Sequence, residues 1–179
     1  MPRLNPVDPA SAEGKAKELF EGPLKGKELN IFKAMANSPA ALNAYVQLSG
    51  ALKGASLSPK EQEVVQLAIG EQNDCNYCTA AHATIAGMHG VSDDEIQQAR
   101  QAEAPDAREA AILGFARAVV ERKGWVDDAT LQASRDAGVT DRELLETVAV
   151  VSQNVFSNYV NHLADTEVDF PAPQPAGTT

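Results

Sequence analysis

Both cysteines of the chain and one of its three histidines fall within eight residues, Cys75-Asn76-Tyr77-Cys78-Thr79-Ala80-Ala81-His82. No other segment gathers reactive side chains in this way. On a helix turning about 100° per residue, Cys75, Cys78 and His82 lie within roughly 60° of one another, one and two turns apart. Cα atoms three residues apart on a helix are about 5 Å from each other, a separation that a disulfide tolerates. The pair can therefore pass between dithiol and disulfide without unfolding its surroundings. Asn73 and Asp74 are both good N-cap residues, which predicts Cys75 in the first turn, where unpaired N–H groups and the helix dipole favour a thiolate.

Other uses of two cysteines fit this spacing less well. A purely structural disulfide with a two-residue spacer closes too small a loop to remove much unfolded-state entropy. Zinc needs four ligands, and the next candidate, His89, lies seven residues or about 10 Å of helix beyond His82. Two inert cysteines packed as small hydrophobes are the remaining alternative. A redox-active pair served by a histidine is the favoured reading.

The elements that must position this segment are helical. Ser58-Pro59-Lys60-Glu61 is a capping box with proline at the first helical position, and it opens a helix carrying Glu63, Val64, Val65, Leu67 and Ala68. Were that helix to run unbroken into the cysteines, Glu63 would lie about 18 Å from Cys75. A break at Asn73-Asp74 would let two helices fold against each other and bring the carboxylate towards the thiols; taken alone, Glu63 reads as a solvated helix residue. Ser92-Asp93-Asp94-Glu95 and Thr140-Asp141-Arg142-Glu143 are two further capping boxes. Pro39 after Ser38 starts a helix to about Leu52, and Asp106 caps a long helix ended by Gly124. His89-Gly90 marks a helix end, with His89 a charge at its C-terminus. The stretches 57–73 and 139–154 echo each other in register to within one residue, which suggests a two-fold internal helical repeat.

Composition bounds the rest. One domain with a sizeable core suits 179 residues, and 44% apolar with only 5% aromatic residues suits close helix packing better than a β-sandwich. The expected fold is all-α. Residues 1–27 read as an irregular N-terminal arm and short helix whose ordering needs a partner surface, 28–168 as the helical domain, and 169–179 as a tail, disordered unless docked on a neighbour. A formal net charge of −10 argues against nucleic acid and anionic membrane surfaces as partners. The start Met1-Pro2-Arg3-Leu4 lacks the apolar run of a signal peptide, and no 18-residue apolar stretch occurs, so the expected location is the cytoplasm. There a CxxC pair is more often catalytic than structural.

Glu63, then Cys75-x-x-Cys78-x-x-x-His82, then Gly90-Val91-Ser92-x-x-Glu95-Ile96, resembles the carboxymuconolactone decarboxylase superfamily, in particular its alkylhydroperoxidase D (AhpD)-like, peroxidase-related branch. The resemblance covers roughly residues 28–168, including Asn158-Tyr159-Val160-Asn161-His162 and Asp165-Thr166-Glu167. It implies an AhpD-like helical bundle, assembly into dimers, trimers or hexamers, and reduction of organic hydroperoxides through a disulfide without metal or organic cofactor. By the same resemblance Cys78 meets the peroxide, Cys75 resolves it, and Glu63 and His82 belong to a proton relay. The chain departs from its relatives at Tyr77, where they often carry histidine. A phenol with a pKa of about 10 cannot replace an imidazole as base near pH 7.

The chemistry of such a site is self-consistent. A thiolate attacks the O–O bond and becomes a sulfenic acid, which the second thiol condenses with to give a disulfide. His82, one turn from Cys78, is placed to take its proton, and an external dithiol must then reduce the disulfide. Two rivals use the same residues differently. Lactone or decarboxylase chemistry would need His82 or Glu63 for proton transfer and leave the cysteines idle, whereas a redox-sensing helical assembly would use the disulfide to change a partner surface.

Overall fold

The computed structural model describes residues 2–172, and among these every regular element is helical. After a 3₁₀ turn at Pro9–Ser11, the chain forms α1 (Gly14–Glu21), α2 (Asn30–Met35), α3 (Pro39–Leu52), α4 (Pro59–Gln72), α5 (Asn76–Met88), α6 (Asp93–Arg100), α7 (Ala107–Glu121), α8 (Asp128–Asp136) and α9 (Asp141–Ala164). The three capping boxes form as expected, each with the serine or threonine accepting from the N3 amide and the glutamate reaching back to the cap. No helix among the described residues is long and apolar enough to cross a membrane.

The fold is built round α4. Its residues Val64–Gly70 are buried without a gap, as expected of a helix covered on every side. It packs against α5, α6, α7 and α9. Leu67, Ile69, Ile112, Leu113 and Val150 are essentially inaccessible in the core that results. Each such side chain contributes about 1.5–3 kcal/mol of apolar burial. At one end Arg108 of α7 reaches both capping-box glutamates, Glu61 of α4 and Glu143 of α9, so these two helices start side by side. They then run together: Asn154 donates to the Gln66 carbonyl at 3.2 Å, and Asn73 donates to Asn158 at 2.7 Å. Because α9 has 24 residues to the 14 of α4, it continues past the end of α4 to the cysteines.

A second cluster holds the cysteines. Ala16, Leu19, Phe20, Ile31, Met35 and Leu42 from the first three helices, with Leu24 from the turn after α1, pack with Cys75, Tyr77, Cys78 and Ala81. The N-terminal segment therefore finds its ordering surface on its own chain: Val7 N–H donates to the Lys33 carbonyl, Asn37 donates to Asn5, and Arg3 N–H donates to Ala164. The other end behaves alike. Asp165 takes a left-handed conformation after α9, and the chain turns back so that Asp169 accepts from the Asn30 amide at 2.8 Å and from the Tyr77 hydroxyl at 2.5 Å. Phe170 meets the Tyr77 ring edge-on at 5.8 Å. The first residues of the expected tail thus dock on the chain itself, while 173–179 lie outside the described residues.

Candidate active site

Between α4 and α5 the backbone turns in three residues, and Asp74 makes the turn with φ +54°. Its N–H donates to the Glu71 carbonyl at 3.0 Å and that of Cys75 to the Gly70 carbonyl at 2.8 Å, the paired bonds of a Schellman motif in which aspartate stands where glycine is usual. Cys75 closes α4 and opens α5 at once. The expectation that Asn73 or Asp74 caps α5 is corrected here: Asn73 is the C-cap of α4, and Cys75 itself is the N-cap, its sulfur accepting from Cys78 N–H at 3.4 Å. Aspartate tolerates the left-handed region and a β-branched residue does not. Asp74→Val should therefore destabilise the fold by about 1–2 kcal/mol while Asp74→Gly does not, as urea unfolding would read.

The two cysteines are joined as a disulfide with Cα atoms 5.3 Å apart. Both are 2% exposed. The sharp turn folds α5 back along α4, and the close approach has a local cause: a Cβ on Gly70 would stand only 3.4 Å from Cys78 Cβ and from Thr79. That fold-back brings Glu63 and His82 together, Glu63 Oε2 lying 2.8 Å from His82 Nδ1. The side chains are 14% and 10% exposed, so Glu63 is not the solvated residue that it resembles when taken alone. A carboxylate can only accept, which makes Nδ1 the protonated nitrogen and leaves Nε2 as the basic one. His82 is four residues beyond Cys78, about 6 Å along the helix axis.

Two further groups surround the sulfurs. Asn161 of α9 points its amide nitrogen at Cys78 Sγ, 3.3 Å away, and at Cys75 Sγ, 3.9 Å away. Tyr77 lies between the cysteines in sequence, and burial together with its bond to Asp169 pushes its phenol well above the ordinary range. It serves the packing of the C-terminal strap. Tyr45 of α3 contributes a second high phenol: enclosure of the hydroxyl, helped by the charge of Glu63, pushes it up to about 12. Neither tyrosine can act as a base near neutral pH.

A cleft of about 430 Å³ borders this site. Gly70, Cys75, Asn76, Thr79, Arg100 and Phe170 line it, with Glu71 paired to Arg100 at 2.8 Å along its wall. It reaches Cys75 and stops short of Cys78. Among the described residues no three His, Cys, Asp or Glu side chains converge as a metal site requires.

The four residues singled out by the sequence thus meet as two pairs on neighbouring helices, a disulfide and a carboxylate–imidazole pair. The fold and this site together define an all-α protein with a buried CxxC pair beside a carboxylate–imidazole pair. The model of the carboxymuconolactone decarboxylase family matches residues 39–122, the segment from α3 to just past α7, so that just under half of the chain is similar to that family. None of the curated proteins compared with the chain matches it in sequence. Among solved structures it is similar to an uncharacterized peroxidase-related protein with an alkylhydroperoxidase AhpD core from Ralstonia eutropha JMP134, at 22% identity, 94% of this chain, 92% of the other and a TM-score of 0.83. A peroxidase-related protein from Silicibacter sp. TM1040 aligns at 22% identity over 92% and 89% of the two chains with a TM-score of 0.79. The debrominase Bmp8, seen as a cysteine-to-alanine variant with 2,3,4-tribromopyrrole, aligns at 17% identity over 93% and 91% with a TM-score of 0.76. At these identities the likeness fixes the fold, and the chemistry has to be read from the site.

Proposed function

We propose that the protein is a thiol–disulfide peroxidase that reduces organic hydroperoxides. The observation that carries this reading is a buried CxxC disulfide on the same helix as a histidine whose ring is held by a carboxylate. In the reduced protein Cys78 gives its proton to His82 Nε2, and the Glu63 carboxylate stabilises the imidazolium through Nδ1. The Cys78 thiolate attacks the terminal oxygen of ROOH; the S–O bond forms, the O–O bond breaks, and RO⁻ takes a proton to leave as alcohol. The Cys75 thiolate then attacks Cys78 Sγ, expelling hydroxide, which leaves as water with a second proton. Two electrons have passed from the dithiol to the peroxide.

Re-reduction runs in the other direction. Only Cys75 borders the cleft, so an external dithiol attacks Cys75 Sγ, displaces Cys78 as a thiolate, and releases Cys75 by closing its own disulfide. This order returns Cys78 to the state in which it attacks. The test is a thiol count on reduced, desalted protein before and after one equivalent of an organic hydroperoxide. Loss of two thiols per chain with one alcohol formed is expected; two thiols still present beside intact hydroperoxide would overturn the reading in favour of lactone chemistry or sensing.

Assembly into a homo-oligomer belongs to the same proposal. Leu145, Tyr159 and Leu163 stand 72%, 63% and 57% exposed along one face of α9. An apolar strip of this kind favours a partner surface. Light scattering at micromolar concentration should give a species larger than the 19.0 kDa chain; a monomer would contradict it.

A further inference from the structure

The longest helix delivers a single polar side chain to the sulfurs. Asn161 is 4% exposed, and its nitrogen is nearer to Cys78 Sγ than to Cys75 Sγ, 3.3 against 3.9 Å. Its Oδ1 is buried without a hydrogen-bond partner among the described residues. Burying an amide is unfavourable unless its bonds are made, and a disulfide sulfur is a weak acceptor. A thiolate is a strong one, because a donor to an ionised acceptor makes a shorter and more favourable bond. The amide is thus poorly used in the disulfide form and well used once the disulfide opens.

We propose that Asn161 is a positioning residue that holds the Cys78 sulfur as a thiolate in the reduced protein, making Cys78 the more acidic thiol of the pair. This deepens the peroxidase reading and rests on it for what the thiolate then does. The point is not evident from α5 alone, where Cys75 holds the N-cap position that ordinarily favours ionisation. The charged and titratable groups packed round the sulfurs leave the role open for a neutral donor. From α4 and α5 come Glu63 and His82, bonded to each other; from α5 and the strap come Tyr77 and Asp169, bonded likewise; from α3 comes Tyr45, whose phenol is neutral near pH 7; and the Glu71–Arg100 pair stands on the cleft side beside Cys75. Apart from Asp74, exposed on the cleft wall next to Cys75, where a negative charge disfavours a thiolate on Cys75 and not on Cys78, those groups are paired with one another or uncharged. Asn161 is the amide aimed at the sulfurs, and its donation does not depend on pH.

The experiment needs no peroxide. In the Cys75→Ser protein, the rate of Cys78 alkylation by iodoacetamide is followed against pH, and its midpoint compared with that after adding Asn161→Ala or Asn161→Asp. Loss of a hydrogen bond to an ionised group should raise the midpoint by about one pH unit or more, and Asp, nearly isosteric but anionic, should raise it further. Asn158→Ala removes a neighbouring buried amide that bonds Asn73 and not the sulfurs, so it should leave the midpoint unmoved. The same titration of Cys75 in the Cys78→Ser protein should give a higher midpoint than that of Cys78. Two folded Asn161 variants whose midpoints match their parent, or a lower midpoint for Cys75 than for Cys78, would overturn the inference. A shift as expected in a protein that consumes no hydroperoxide would uphold Asn161 and sink the peroxidase reading, whereas turnover without a shift would sink the inference alone.

Discussion

Replacing Cys78 by serine abolishes consumption of an organic hydroperoxide, while replacing Cys75 by serine stops turnover but leaves the first reduction intact, one equivalent of alcohol per chain. The difference follows from where each sulfur sits. Cys78 shares α5 with His82, one turn away, and receives the Asn161 amide, so the proposed base and a hydrogen-bond donor to the thiolate both serve it. Cys75 faces the cleft, holds the N-cap position of α5 and lies farther from the Asn161 amide, 3.9 against 3.3 Å. A nucleophile must be regenerated in every cycle and needs a base within reach, whereas a resolving thiol needs only proximity, which a Cα separation of 5.3 Å provides. Serine cannot substitute, because an alcohol near neutral pH is un-ionised and cannot displace alkoxide from a peroxide. Hydroperoxide loss at the rate of buffer alone is therefore expected for Cys78→Ser. A burst of alcohol from that variant would contradict the assignment.

His82→Gln should slow the reaction of the reduced protein with hydroperoxide by about 10²–10⁴-fold, the usual loss on removing a general base, with Glu63→Gln slower than wild type by a smaller factor. Glutamine at position 63 still offers an oxygen to Nδ1 and keeps the ring oriented, but it no longer stabilises an imidazolium. The two substitutions act on one proton path, so the double variant should be little slower than His82→Gln alone. Stopped-flow loss of thiolate, with circular dichroism to verify the helices, reads all three. Fully additive losses would show that Glu63 and His82 work apart.

Much of the architecture is written in local chemistry. Each capping box, Ser58–Glu61, Ser92–Glu95 and Thr140–Glu143, involves residues three apart, and each starts a helix where it should. The span from Pro39 to Leu52 follows from a proline after serine and an apolar stripe. The expected break at Asn73-Asp74 also forms, and it is what joins Glu63 to His82. What local chemistry does not carry is the detail of that break. Aspartate in the left-handed position of a Schellman turn hides behind the more familiar signature of an N-cap, so the capping role shifts to Cys75.

The remaining parts of the site depend on contacts between distant segments. Tyr77 and Asp169 are 92 residues apart, and Asn161 is 83 residues from Cys78. The C-terminal strap consequently reads as a free tail until the fold brings it to Tyr77. For Asn161 a signal did exist: Asn154, Asn158 and Asn161 recur at helical spacing along α9, and all three are buried against α4 or the sulfurs. Buried amides at i, i+4 and i+7 on one face call for partners, and only the parallel course of α4 and α9 reveals that the last partner is the redox pair.

The most direct test of the roles of the two sulfurs is a sulfenic-acid trap applied to the two single-cysteine proteins after one equivalent of organic hydroperoxide, with the adduct located by mass spectrometry. The Cys75→Ser protein should carry the trap on Cys78 and the Cys78→Ser protein should carry none; label on Cys75 in the second with none on Cys78 in the first would reverse the assignment on which the proposed mechanism stands.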